Sequence, residues 1–119
     1  EGAFPAICLS SQTSLMTAFL NDVSAEYMFA QQVYAYGEHS DVLFAISTSG
    51  KSTNVCLAVK TARIMGLKTI GLTGEDGGEL AQLCDISIKV PASGSSFLIQ
   101  ELHLPTYHIL CAMIEKHFF

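Results

Sequence analysis

The sequence predicts an α/β domain built on a parallel β-sheet. Three observations carry that expectation. Short apolar runs rich in Val, Ile and Leu alternate with longer stretches of helical periodicity. The junctions between them are marked by Gly, Pro or clustered Ser and Thr. The central run, DVLFAI at residues 41–46, is continuously apolar after its Asp, the pattern of a strand covered on both faces. Strands alternating with helices mean βαβ units.

Taken in chain order, residues 6–9 (AICL) read as a short buried strand entered from Pro5. Residues 13–20 read as one helix. Residues 24–36 read as another, with Ser24 as N-cap and Gly37 as its stop. Residues 41–46 form the next strand. Residues 52–65 carry Val55, Ala58, Val59, Ala62 and Met65 at helical spacing, and Gly66 closes the helix. Residues 68–73 (KTIGLT) form a second buried strand. The glycines of the GEDGG loop, 74–78, serve a turn and a helix entry. A short helix at 79–83 and a third strand at 85–90 follow. After a loop at 91–96, a long helical stretch runs from 97 to 118, interrupted by Pro105, which lacks the N–H that a helix interior requires.

The bulk composition bounds the function. In 119 residues there is room for one domain, and with half of them hydrophobic and only 14% charged there is more apolar material than a monomer needs, which points to a subunit interface. The net charge of −5 argues against coating nucleic acid, which takes clustered Lys and Arg. A small anion is still within reach, because backbone N–H groups bind it without net positive charge. No apolar run approaches the roughly 18 residues of a membrane span. Cys8, Cys56, Cys84 and Cys111 are irregularly spaced among apolar residues, without a C-x-x-C pair, and read as buried reduced thiols of a cytoplasmic protein. The chain opens on Glu-Gly-Ala-Phe-Pro, directly before a strand-like segment, so the expectation is a single domain over 1–119 that is incomplete at its N-terminus.

In such sheets, ligands bind beyond the carboxyl ends of the strands. Three loops fall there: STSGKS at 47–52, TGEDGG at 73–78 and ASGSS at 92–96. The first ends in Gly-Lys-Ser like a nucleotide P-loop, but a P-loop needs G-x-x-x-x-G-K-[ST], and its first position here is Ala45, inside the strand. The neighbouring strand also lacks the metal-binding acid that a triphosphate site requires. Hydroxyls crowd this turn instead. Ser47, Thr48, Ser49 and Ser52, together with exposed N–H groups and a helix N-terminus, suit one phosphate monoester. A capped Ser/Thr turn with no ligand is the competing reading, since these are ordinary turn residues.

DVLFAISTSGKSTNV, GLKTIGLTGEDGGELAQLCDISIKVP and IQELHLPTYHIL together resemble a sugar isomerase (SIS) domain, most of all its phosphoheptose isomerase branch. The likeness runs from about residue 4 to the C-terminus. It implies a three-layer αβα, flavodoxin-like parallel sheet from which the N-terminal helices and first strand are missing, and a homotetramer with sites between subunits. By that resemblance Ser47, Thr48, Ser49 and Ser52 hold the sugar phosphate, and Asn21 and Asp22 match a segment near the sugar. Gln100 and His108 match two zinc ligands, Gln100 also lying beside the substrate and His108 also serving as catalytic acid–base. The remaining His and Glu ligands would come from an upstream helix. His and zinc suit the chemistry: moving a carbonyl between adjacent carbons needs a base near neutrality and a stabilised enediolate. His103, His39 and His117 read as surface or structural residues, and Glu101 as a solvated or subunit-facing acid.

This chain departs from the branch at three points: Lys51 stands where many members carry Asn, Phe97 where an Asp is usual, and Pro105 falls between the two ligand positions. The leading expectation is therefore an isomerase converting sedoheptulose 7-phosphate to D-glycero-D-manno-heptose 7-phosphate. The alternative is a non-catalytic SIS module of the replication-initiator-binding type, which binds a phosphosugar or bridges partners. No nucleic-acid or membrane partner is expected.

Overall fold

The computed structural model describes residues 3–119; Glu1 and Gly2, the start on which the expectation of a missing N-terminal part rests, lie outside the described residues. Helices α1 (Thr13–Asp22) and α2 (Met28–Tyr36) lead into strand β1 (Val42–Ile46), helix α3 (Thr53–Ile64), strand β2 (Lys68–Thr73), helix α4 (Gly78–Leu83), strand β3 (Ile86–Lys89) and helix α5 (Ser96–Phe118). The three strands are parallel in the order β1-β2-β3, with Ala45 opposite Gly71 and Leu72 opposite Ile88. Helices cover both faces. Ala45, Cys56, Val59 and Leu80 pack α3 and α4 on one side, while Leu72, Val90 and Ile99 seat α5 on the other. A third cluster, Val33, Ala58, Ala62 and Leu67, joins α2 to α3 and takes in Leu9.

Three expectations need correction. Residues 6–9 form no strand: they are irregular, leading into a 3₁₀ turn at Leu9–Ser11, and only Leu9 is held by packing. A single extended segment has no ladder of its own, and no described strand lies beside it. Strand β1 is less covered than expected: it lies at the edge of the described sheet, Val42 and Ile46 are exposed and Ala45 alone is buried, while Leu43 and Phe44 pack against the clusters on its two faces. Finally, α5 is assigned as one continuous helix through Pro105. Proline leaves the carbonyl four residues back without its helical donor, and that carbonyl belongs to Glu101, an exposed residue at which a missing helical bond costs least.

The cysteine reading holds for Cys56, which is buried, and fails for Cys8 and Cys111, which are exposed; all four are free. Ser24 caps as expected, accepting from the Glu26 N–H at 3.3 Å, but what it caps is the 3₁₀ turn Ala25–Tyr27 that precedes α2. Among the described residues no helix is long and apolar enough to cross a membrane.

Asp85, at the entry to β3, fixes the β2–β3 register from outside the ladder. Its carboxylate accepts from the Thr69 N–H at 2.8 Å and the Thr69 hydroxyl at 2.9 Å, and the Asp85 N–H donates back to that hydroxyl at 2.9 Å. The Thr69 hydroxyl and then its backbone N–H hold the Asp85 carboxyl below the usual carboxylate range. A lowered folded pKa gives stability that is present above the unfolded value and lost as pH falls through the folded one. Asp85→Asn is therefore expected to flatten the acid side of the stability profile: between about pH 5 and about pH 3, urea midpoints should fall less in the variant than in the parent. Equal slopes would mean that the Thr69 bonds do not bias the ionised form.

Candidate functional site

The loops that follow β1, β2 and β3 meet in one cleft of about 280 Å³, lined by Thr48, Ser49 and Lys51, by Gly74, Glu75 and Asp76, and by residues 92–96 with Ile99. Backbone hydrogen bonds knit them together. Gly74 N–H donates to Thr48 C=O at 3.0 Å, Glu75 N–H to Ala92 C=O at 3.0 Å, and Leu80 N–H to Gly50 C=O at 2.9 Å. The cleft is the place beyond the strand ends that the fold reserves for ligands.

The serine loop divides its labour. Ser47 is buried, its hydroxyl 2.9 Å from that of Ser52, and its Oγ accepts from the Gly50 N–H at 3.1 Å. Ser52 holds the N-cap position of α3, yet its hydroxyl makes no capping bond, being engaged by Ser47. Thr48 and Ser49 face the cleft. Thr48 lies 3.4 Å from the Ser96 hydroxyl across it, and the Ser49 Oγ accepts from the Lys51 N–H at 3.1 Å. Lys51 pairs with Asp76 at 3.3 Å, both side chains largely in solvent. Beneath the loop, burial pushes the Cys56 thiol up, so at neutral pH it remains a protonated thiol under Gly50 and not a nucleophile.

Glycines make the loops fit. Gly50 and Gly78 both lie at positive φ, and a Cβ on Gly78 would stand 2.6 Å from the Gly50 carbonyl carbon and oxygen. The GEDGG loop thus does more than turn: it presses directly against the serine loop. Nothing in a single sequence pairs two glycines so far apart, so this contact was not legible there.

Gln100 and His108 lie on α5, both exposed, with the His108 ring edge-on to Tyr107 at 5.1 Å. The first turn of α5 contributes Ser96 and Ile99 to the cleft, so this helix starts at the site, but neither Gln100 nor His108 is among the residues that line it. Imidazole and amide oxygen are suitable zinc donors, but two are too few for a site. Among the described residues no group of three or more His, Cys, Asp or Glu side chains is placed to hold a metal. Asn21 and Asp22, at the exposed end of α1, do not line the cleft. Sequence reasoning missed Ser93, Ser95 and Ser96 as lining residues, although the position of their loop beyond a strand end was a usable signal. His103 is not a surface residue: it is 3% exposed, and neither ring nitrogen has a partner among the described residues.

Comparison with known proteins places these features in context. A family model described as "SIS domain" matches residues 3–74. The phosphoheptose isomerase of Nitratiruptor sp. is 48% identical over 116 residues, covering 98% of this chain and 62% of the relative. That of Helicobacter pylori strain P12 is 48% identical, covering 95% of this chain and 58% of the relative. The chain thus spans about three-fifths of the length of the curated relatives it matches. Among solved structures, a phosphoheptose isomerase from Francisella tularensis superimposes with a TM-score of 0.88 at 39% identity, over 94% of this chain and 60% of that one. One from Neisseria gonorrhoeae gives 0.88 at 40% identity, over 92% and 61%.

Proposed function

The chain belongs to the SIS domain family, and from that premise we propose that the protein is a phosphosugar aldose–ketose isomerase that interconverts sedoheptulose 7-phosphate and D-glycero-D-manno-heptose 7-phosphate. The observation that carries this reading is the cleft itself: loops from three parallel strand ends, two of them bearing hydroxyls, meet where α5, the helix of Gln100 and His108, begins. The high identity to phosphoheptose isomerases across nearly the whole chain supports it.

Thr48 and Ser49 bind the phosphate through hydroxyls and loop N–H groups, aided by the positive end of α3. Ser47 and Ser52 brace the turn from behind and complete the cradle. Asn21 and Asp22 meet the sugar hydroxyls once the site is fully assembled. His108 removes the proton from the carbon beside the carbonyl and returns it to the adjacent carbon, so that an enediol forms and collapses with no net redox change. Gln100 and His108 contribute two zinc ligands, with the others lying outside the described residues; bound there, zinc would supply Lewis-acid polarisation of the carbonyl.

The protein works in the cytoplasm, where its four free thiols stay reduced. It assembles as a homotetramer with sites between subunits, consistent with the exposed Phe97, Leu98, Leu104, Ile109, Met113 and Phe118 of α5. Sedimentation velocity of the intact protein is expected to show a tetramer; a monomer at micromolar concentration would remove that part of the proposal.

The deciding experiment is turnover of sedoheptulose 7-phosphate by the intact protein, with zinc and with a chelator. Turnover that chelation abolishes is expected. One observation favours a second reading, a non-catalytic phosphosugar-binding module: Phe97, 65% exposed at the start of α5, puts an aromatic ring where a polar sugar contact is expected. Tight binding without turnover by folded, zinc-loaded protein would select that reading.

A further inference from the structure

We infer that His103 is a positioning residue of this site: a buried imidazole whose hydrogen bond, made in the assembled protein, sets the rotation of α5 and thereby the aim of Gln100 and His108. The inference rests on the isomerase reading above.

Helix α5 buries only Ile99 and His103 along its length. Ile99 has an apolar partner surface in Leu72 and Val90, and its Cδ1 lies against Gly74, so close that a Cβ there would stand 2.8 Å away. His103 follows by four residues, one turn further along the same stripe. It is 3% exposed, and both ring nitrogens are buried without a hydrogen-bond partner among the described residues. For stability alone, a leucine would serve better there, since an unpaired buried polar group carries a desolvation penalty that an apolar one of similar volume does not. A polar ring at this point is explained by a bond to a specific group elsewhere in the assembly.

The consequence of such a bond reaches both functional side chains. Gln100 lies three residues before His103, on the adjoining strip of the helix surface. Four residues after His103 comes Tyr107, which packs on the Leu72 cluster and meets the His108 ring edge-on at 5.1 Å. Ile99 and Tyr107 hold the helix by apolar contacts, which are not directional and still let it rock about its axis. A directional bond one turn along removes that freedom, and catalytic groups tolerate little of it.

The test uses His103→Leu, His103→Asn and His103→Gln in the intact protein, with sedoheptulose 7-phosphate as substrate. Leucine is expected to lower kcat roughly 10- to 100-fold while KM, set by the serine loop, stays near the parent value. Asn or Gln, each able to replace one ring nitrogen, is expected to restore most of the loss. The parent protein, labelled with ¹⁵N-histidine, should also show a slowly exchanging ring N–H that His103→Asn removes. An active parent whose kcat is unchanged by leucine, or lowered equally by all three variants, would overturn the proposal alone. So would the absence of any protected ring N–H. An inactive parent would bring down the isomerase reading and this proposal together. Should His103→Leu fail to fold, the kcat of the Asn and Gln variants and the ring N–H signal decide.

Discussion

Replacing Gly78 with alanine is expected to destabilise the chain by roughly 3–5 kcal/mol, combining left-handed backbone strain with overpacking. Gly78 sits at φ +55, where an L side chain is already strained, and its new Cβ would stand 2.6 Å from the Gly50 carbonyl carbon and oxygen and 2.7 Å from the Ser49 oxygen. All of these are backbone atoms, so no side-chain rotation relieves the clash. The Gly50 carbonyl is also the acceptor for Leu80 N–H, so pushing the loops apart breaks a bond as well. Gly94→Ala is the control. Gly94 has φ +79, but a methyl group there would meet nothing within 4 Å, so only the backbone term of about 1–2 kcal/mol applies. Urea unfolding of the two variants separates the contributions. Equal losses would mean that the two loops yield freely and that their contact does not shape the cleft.

His108→Ala is expected to lower kcat about 1,000-fold, within the range for loss of a general acid–base group. Sugar-phosphate affinity should change far less, because in the proposed site the phosphate is held by Thr48 and Ser49, which line the cleft from a different loop. Steady-state kinetics beside direct binding of the sugar phosphate measures both. Turnover left intact by the substitution would remove His108 from the chemistry and leave proton transfer without a carrier on α5.

The parts of the fold that depend on local pattern were legible in the sequence. Strands β2 and β3 and helices α1, α3 and α4 fall within a residue or two of their expected limits, because apolar periodicity and glycine stops are local properties. Residues 6–9 were misjudged as a strand, and β1, found where it was expected, is less buried than its apolar run suggested, since both outcomes depend on neighbours that the run itself does not encode. The site was readable to the extent that it is made of loops at strand ends. STSGKS and ASGSS were placed there from topology alone, and the structure joins them across the Thr48–Ser96 contact. Ser47 shows the limit. Its residue type suggested a ligand contact, but only the fold reveals that its hydroxyl turns inward to Ser52. His103 shows the converse, an imidazole whose burial could not be told from spacing, because helix periodicity specifies a face without saying which face is covered.

The backbone bonds tying the three loops together also bear on how this site can diversify. Each loop is held by main-chain groups of its neighbours, so lengthening or reshaping one disturbs all three. New specificity is therefore most accessible through side chains that line the cleft without carrying the scaffold, namely Lys51, Asp76 and Ser93, all of which are exposed. One of these, Lys51, is a position where this chain differs from what its resemblance to the branch leads one to expect. The cradle beneath, by contrast, is held in place by its own main chain.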